Sequence, residues 1–429
     1  MEDGSGHGRP VTRRRALALG AGGAVVLLGG AGLLGTRSGD DRPPAAGRAE
    51  PAGAFDPADA AAVLANRARA VAAGDRAAFL ATVASAPAAF QDAQARMYGN
   101  LRELPLARWE ERVVAQQTVD AGKGVAIVRA KVRYRLRGFD RGDVVRTRYL
   151  ALAPRSGTWT IVGDGAPHGF RDDAAIWDGG RLSVAEGRAS IVIGDAPGLG
   201  EIARRLDAAV PVVTGVVGTG WARRVVALVP ADPAIAAALA GPGQGMGQGQ
   251  GQGQGEIAAL ATVTPSARGA RGEDRVVVSP GTFGRLNDLG RDVVLTHELT
   301  HVATGGARDH TTPLWLIEGF ADYVGYRRTE IGVRAAAGEL RREVAAGRVP
   351  AALPAADAFS GASERLSQAY QEAWLACRMV AGRYGEATLV RLYRTAGRVP
   401  EATALRDVLG LTRERFTAQW RDYLKRELT

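Results

Sequence analysis

From Pro57 to Ala73 apolar residues recur at helical spacing, and Asp75 to Val83 reads as a second, shorter helix with Asp75 near its start. The period then changes to two. Ala126 to Arg137 largely alternates apolar with polar side chains, as do parts of Val144 to Leu152 and Thr158 to Val162, which predicts half-buried strands. Beyond Trp177 a second unit opens with Ala189 to Ile193 as a strand, a helix from about Gly198 to Val210, and Arg223 to Val229 as another strand. Gly241 to Gly255 is a Gly-Gln run whose only sizeable apolar side chain is Met246, so it reads as a flexible loop tip inserted within a domain. Glu256 to Thr264 and Arg275 to Val278 return to strand composition ahead of a long helical stretch. Arg275 to Val278 is read as the edge on which an extended peptide would pair its backbone.

At the amino end the pattern is of another kind. Ala16 to Gly35 carries no charged residue and follows Arg13-Arg14-Arg15. At 1.5 Å per residue those 20 positions span about 30 Å, the thickness of a bilayer's hydrocarbon core. The arginines should stay inside and the body should be exported. The order Thr12-Arg13-Arg14-Arg15-Ala16-Leu17 resembles a twin-arginine export signal. Thr36-Arg37-Ser38-Gly39-Asp40-Asp41 offers no clean small-x-small cleavage site, which favours an uncleaved membrane anchor over release. Residues 36–55 are rich in Pro, Gly and charge without an apolar period, and read as a tether.

With 429 residues the chain has room for two or three domains, and 46% hydrophobic against 23% charged residues lets most of it bury a core. One cysteine, Cys377, excludes an internal disulfide and a thiolate cluster, so any metal must sit on His and carboxylates. The net charge of +10 raises nucleic acid as a partner. All but three of the basic residues are arginine, however, and they are scattered among acids rather than gathered into a stripe with aromatics. No nucleic-acid partner is expected.

The chemistry concentrates in Asp292-Val-Val-Leu-Thr-His297-Glu298-Leu299-Thr300-His301-Val-Ala-Thr304, ended by Gly305-Gly306. His297 and His301 are four apart, one helical turn along the same face, where two imidazoles converge on one ion. Glu298 between them completes the His-Glu-x-x-His arrangement, in which zinc takes the two ring nitrogens and the carboxylate works on a bound water. Zinc also needs a third protein ligand and an open position. His310 and Glu318 are the two candidates downstream. Thr312 as cap and Pro313 in the first turn predict a helix carrying Glu318 among Leu314, Trp315, Ile317 and Phe320, where an unpaired carboxylate is expensive to bury and a cation removes the cost. Asp322, on the same face, is placed to accept a hydrogen bond from the free ring nitrogen of a ligand histidine.

His297-Glu298-Leu299-Thr300-His301 followed by Trp315-Leu-Ile-Glu318-Gly-Phe-Ala-Asp322-Tyr323 resembles the gluzincin metallopeptidases, the thermolysin-like clan. The resemblance implies Glu318 over His310 as third ligand, with Asp322 behind the histidines. The metzincin alternative wants a glycine and a histidine where this chain has Thr304 and Ala307. The likeness extends over about residues 185–429, through Ser367 to Trp374, Tyr384-Gly385 and Leu409 to Leu424. It implies an oxyanion donor from this tail, for which Tyr370 is the candidate against Tyr323, Tyr326 and Tyr384. Upstream, two helices and a strand meander resemble the SnoaL-type cone fold, without a catalytic motif.

The expected fold is therefore α+β and multidomain: residues 1–35 as signal or anchor helix, 36–55 as linker, 56–168 as a cone-like domain, and 180–429 as a metallopeptidase domain with a mixed sheet and a helical C-terminal part. The expected function is an exported or membrane-anchored zinc metallopeptidase using one zinc ion on His297, His301 and Glu318, with Glu298 as general base and a peptide or protein as substrate. Two rivals keep the same residues: an exported zinc-containing binding protein without catalysis, and a zinc hydrolase of a non-peptide bond. His168 and Cys377 read as structural residues, and His7 belongs to the flank of the export segment.

Overall fold

The computed structural model of the protein describes residues 55–120, 124–155, 157–241, 258–266, 272–305, 311–360 and 363–429. The expected anchor at 1–35, nearly all of the tether, the Gly-Gln run beyond Gly241, and His310 lie outside the described residues. Among the described residues no helix is long and apolar enough to cross a membrane. The architecture is mixed α+β, with two sheets and many helices.

Three helices come first: α1 (Pro57–Ala73), α2 (Arg76–Ala81) and α3 (Ala88–Glu103). The carboxylates of Asp56 and Asp75 cap α1 and α2, accepting from the N–H groups of Ala58 at 2.8 Å and Ala78 at 2.9 Å. Helix α3 was not expected from the pattern, because its buried face carries Gln94 and Asn100 beside Met97, Tyr98 and Leu101, which hides the apolar period. Four antiparallel strands follow in chain order as a meander: β1 (Leu106–Asp120), β2 (Val125–Leu136), β3 (Val144–Arg155) and β4 (Thr158–Asp164). Strand β1 also escaped the pattern. Its pairing with β2 slips at three places, each of which breaks a two-residue period.

The second sheet contains β5 (Ser183–Glu186), β6 (Ser190–Gly194), β7 (Val225–Val229), β8 (Ala259–Val263) and β9 (Asp274–Val278) in the order β5-β6-β7-β9-β8. Strands β6, β7 and β9 run parallel, and β5 and β8 are antiparallel to their neighbours. Helix α4 (Leu199–Val217) crosses from β6 to β7 and passes the expected end at Val210, running through Pro211 because Val213 and Val217 carry its buried face onward. Helix α5 (Pro233–Ala240) precedes β8. The expectation that β9 forms the sheet's edge is corrected: β9 lies between β7 and β8, and β8 is the edge strand. The chain lays β8 down outside and turns back between Thr264 and Glu273 to fill the inner position. The inner strands β6 and β7 are buried throughout, as is β9 from Arg275 onward, and their apolar runs fit a sheet covered on both faces.

The rest is helical: α6 (Pro280–Arg285), α7 (Asp288–Thr304), α8 (Leu314–Gly325), α9 (Val333–Ala336), α10 (Gly338–Ala345), α11 (Leu366–Tyr384), α12 (Glu386–Ala396), α13 (Glu401–Leu409) and α14 (Arg413–Leu428). One apolar core runs through both sheets, and a second, smaller one lies within the amino-terminal unit around Leu64, Val128, Leu152 and Ile161. At the junction, Asn100 donates to the carbonyls of Trp177 at 3.0 Å and Gly180 at 2.9 Å and accepts from Leu182 N–H at 2.9 Å, while Trp177 packs edge-on against Trp109 and Tyr134. The tip of the β2–β3 hairpin also grips the β8–β9 turn. Glu273 accepts from the N–H groups of Arg141 and Gly142, and Arg275 Nη2 lies 2.8 and 2.9 Å from the two Asp140 carboxylate oxygens, with both side chains buried.

Candidate metal centre

Helix α7 is enclosed: every residue from Val293 to Val302 is buried. Asn287 caps its start by accepting from Gly290 N–H at 2.8 Å, and Gly305 ends it in the left-handed conformation at φ 84°. Its threonines bond back to their own helix, and Thr304 also accepts from the Tyr393 hydroxyl at 3.2 Å. Thr296, Thr300 and Thr304 each donate a hydroxyl to the carbonyl four residues back, at 2.7 to 2.9 Å. Helix α8 begins at Leu314 with Pro313 as its cap, one residue later than the Thr312 cap expected from sequence.

Helix α8 crosses α7 and α11 at two glycines. A Cβ on Gly325 would meet the Val293 carbonyl of α7 at 3.1 Å, and one on Gly319 would meet the Ala373 carbonyl of α11 at 2.2 Å. Only a bare backbone allows that second approach. It sets Glu318 of α8 beside the α7 histidines and brings Tyr370 of α11 against the same cluster.

The Nε2 atoms of His297 and His301 lie 2.8 Å apart, and Glu318 Oε2 stands 3.3 Å from the first and 3.6 Å from the second. Glu318 Oε2 is buried and makes no hydrogen bond among the described residues. Asp322 Oδ1 sits 2.7 Å from His297 Nδ1, which leaves Nε2 of that ring facing the triangle. Glu298, the neighbour of His297, has Oε1 buried without a hydrogen bond among the described residues, while its Oε2 accepts from the N–H of Ala261 on β8 at 2.5 Å. The Tyr370 hydroxyl is buried without a hydrogen bond among the described residues, and its ring centroid lies 6.2 Å from that of His297.

Electrostatics are dominated by burial. Three carboxylates, Glu298, Glu318 and Asp322, are no more than 5% exposed. Burial opposes a proton on His297, but Asp322 outweighs it and pushes that imidazole up to about 10. His301 is lowered, by burial and then by the charge of His297. Burial pushes the Glu298 carboxyl up to about 8 against the pull of His297. Glu318 is held below its usual range because the two imidazoles outweigh burial, and burial with the neighbouring carboxylates raises the Tyr370 phenol well above its ordinary value.

The donor set suits zinc. Four ligands in a tetrahedron with bonds of about 2.0 to 2.1 Å stand about 3.3 Å apart, and the observed separations of 2.8, 3.3 and 3.6 Å bracket that edge. A dication also offsets two of the three buried carboxylates, and burial raises the proton affinity of both Glu298 and Asp322. Among the described residues this is the group of three that can hold an ion. Of the residues singled out in the sequence, His297, Glu298, His301, Glu318, Asp322 and Tyr370 come together, while Tyr323 and Tyr384 donate to Glu386 and Gln419 respectively. The contact of Ala261 with Glu298 had no signal in the sequence, because it is made by a backbone group.

Comparison with known protein families and with curated proteins finds no match. Two solved structures are similar in shape. One is an M1 zinc metallopeptidase variant from Deinococcus radiodurans bound to a Tyr-Ser-Ala substrate, at 14% identity and a TM-score of 0.33, covering 75% of this chain and 61% of that one. The other is the same kind of variant without substrate, at 14% identity and a TM-score of 0.30, covering 71% of this chain and 62% of that one. The chain thus spans less than two thirds of the length of these neighbours.

Proposed function

We propose that the protein is a zinc metallopeptidase that hydrolyses peptide bonds at the α7–α8 centre. The observation that carries this reading is the triangle of His297, His301 and Glu318 donor atoms with Glu298 alongside, all buried. The three hold the ion; bound there, zinc supplies a Lewis acid that polarises a carbonyl and makes water acidic near neutral pH.

The chain's own groups do the remaining work. Glu298 takes a proton from the attacking water and delivers it to the leaving amine, a task suited to a carboxylate whose proton affinity is raised. Asp322 fixes the ring of His297 through Nδ1 so that Nε2 stays turned to the triangle. Tyr370, with its buried hydroxyl beside Glu318, steadies the developing oxyanion. The backbone of β8, already in touch with Glu298 through Ala261, receives the substrate as an added strand. The uncharged run from Ala16 to Gly35 behind three arginines supports a reading in which this activity lies outside the cytoplasm, held at the membrane. A reporter fused after residue 55 tests that part, since a reporter confined to the cytoplasm contradicts it.

The mechanism is tested by metal analysis paired with a peptide-mixture digest. Glu298→Gln should retain metal and lose about 10²- to 10⁴-fold in rate, the range for a positioned acid–base group. His297→Ala should lose both metal and activity. Native-rate cleavage by the Glu298 variant would show the assignment to be wrong.

A further inference from the structure

Strand β8 has an outer edge with a definite length. Thr264 N–H turns inward to the Glu273 carbonyl at 2.8 Å, whereas Ala261 N–H turns outward to Glu298. Alternation along the strand then puts the backbone groups of Ala261 and Val263 on the outer side. Val263 is one of two exposed large apolar side chains among the described residues, at 42%. Two residues on, the edge is closed. The Pro265 carbonyl accepts from Val145 N–H at 2.9 Å, and Ser266 is bridged antiparallel to Val144. Pro265 itself has no N–H to offer. Val144 and Val145 open β3, so the sheet of the amino-terminal unit caps the cleft wall of the other. Glu273, Asp140 and Arg275 fasten the β2–β3 hairpin in that place.

We propose that the start of β3 is an end stop for the substrate, so that the peptides cleaved are those with one chain terminus close to the scissile bond. This inference rests on the metallopeptidase reading. The scissile bond lies opposite Ala261, where Glu298 touches the strand, and the stop stands four residues on. At about 3.3 Å per residue that leaves about 13 Å, room for about three extended residues on that side. The amino-terminal unit thereby sets substrate length at the cleft and takes no part in the chemistry.

The test uses two ladders of unstructured peptides built around one cleaved bond, extended by one to eight residues on the amino side in the first and on the carboxyl side in the second. The full-length zinc-loaded protein is the enzyme and mass spectrometry reads the products. Cleavage should fall at least tenfold beyond three or four residues in one ladder and persist in the other. Val145→Pro removes the N–H that caps Pro265 without taking a bond from the β2 ladder, and it should restore cleavage of the longer members. Equal cleavage of all lengths in both ladders overturns the stop while leaving the peptidase reading standing. A wild-type limit left unmoved in a Val145→Pro protein that melts like wild type overturns the assignment to β3. No cleavage of any member by wild type, with zinc bound, overturns both readings.

Discussion

At the scale of single residues, most of the candidate centre was legible because its chemistry is carried by side chains at fixed helical offsets. His297, Glu298 and His301 stand out by spacing, whereas Glu318, a carboxylate among Leu314, Trp315, Ile317 and Phe320, is preferred to His310 only through the resemblance to the gluzincins. What spacing does not convey is which atoms lack partners. Among the described residues Glu298 Oε1 and Glu318 Oε2 are buried without hydrogen bonds, two unmet acceptors on the residues set beside the paired imidazoles. Asp322 tests the residue-scale account. Asp322→Asn keeps the shape but weakens the hold on His297 Nδ1, so metal affinity should fall about 10- to 100-fold, measured by competition with a chelator of known affinity. Unchanged affinity would mean that the 2.7 Å contact contributes packing alone.

At the scale of elements, sequence periodicity located the helices that matter and misjudged their neighbours for physical reasons. Helix α3 buries Gln94 and Asn100, which serve hydrogen bonds instead of the apolar stripe that a period detects. The assignment of β9 as the edge failed because strand order is fixed by the path of the return turn, which local composition does not encode. The α8–α11 contact rests on one atom's worth of space. Gly319→Ala would push a methyl to 2.2 Å from the Ala373 carbonyl, a clash with rigid backbone on both sides. Overpacking of this kind costs about 1–3 kcal/mol or more, and it would separate Glu318 from the α7 histidines. The expected result is a lower denaturation midpoint together with weakened metal binding. A variant as stable and as metal-avid as the parent would refute the claim that this crossing sets the ligand geometry.

At the scale of the whole molecule, the two sheets are tied by groups that no motif announces. Arg275 and Asp140 lie 135 positions apart and meet in the interior, 1% and 0% exposed at their side chains. Removing one partner of such a pair leaves the other charge stranded, a loss of about 3–5 kcal/mol. Asp140→Ala should show that loss in denaturant unfolding, with both sheets melting in one transition because Trp177 and Asn100 also join them. Two separate transitions in the native protein would instead mark the junction as a loose contact.

The proline at the end of β8 reaches beyond substrate length. A bare sheet margin is an invitation to polymerise, since a neighbouring molecule can continue the ladder. Here the margin between Ala261 and Pro265 presents the Ala261 carbonyl and the Val263 backbone, between an N–H held by Glu298 and a carbonyl already taken, followed by a nitrogen that carries no hydrogen. So short a landing suits one transient guest better than a growing fibril, even with the apolar Val263 in the open.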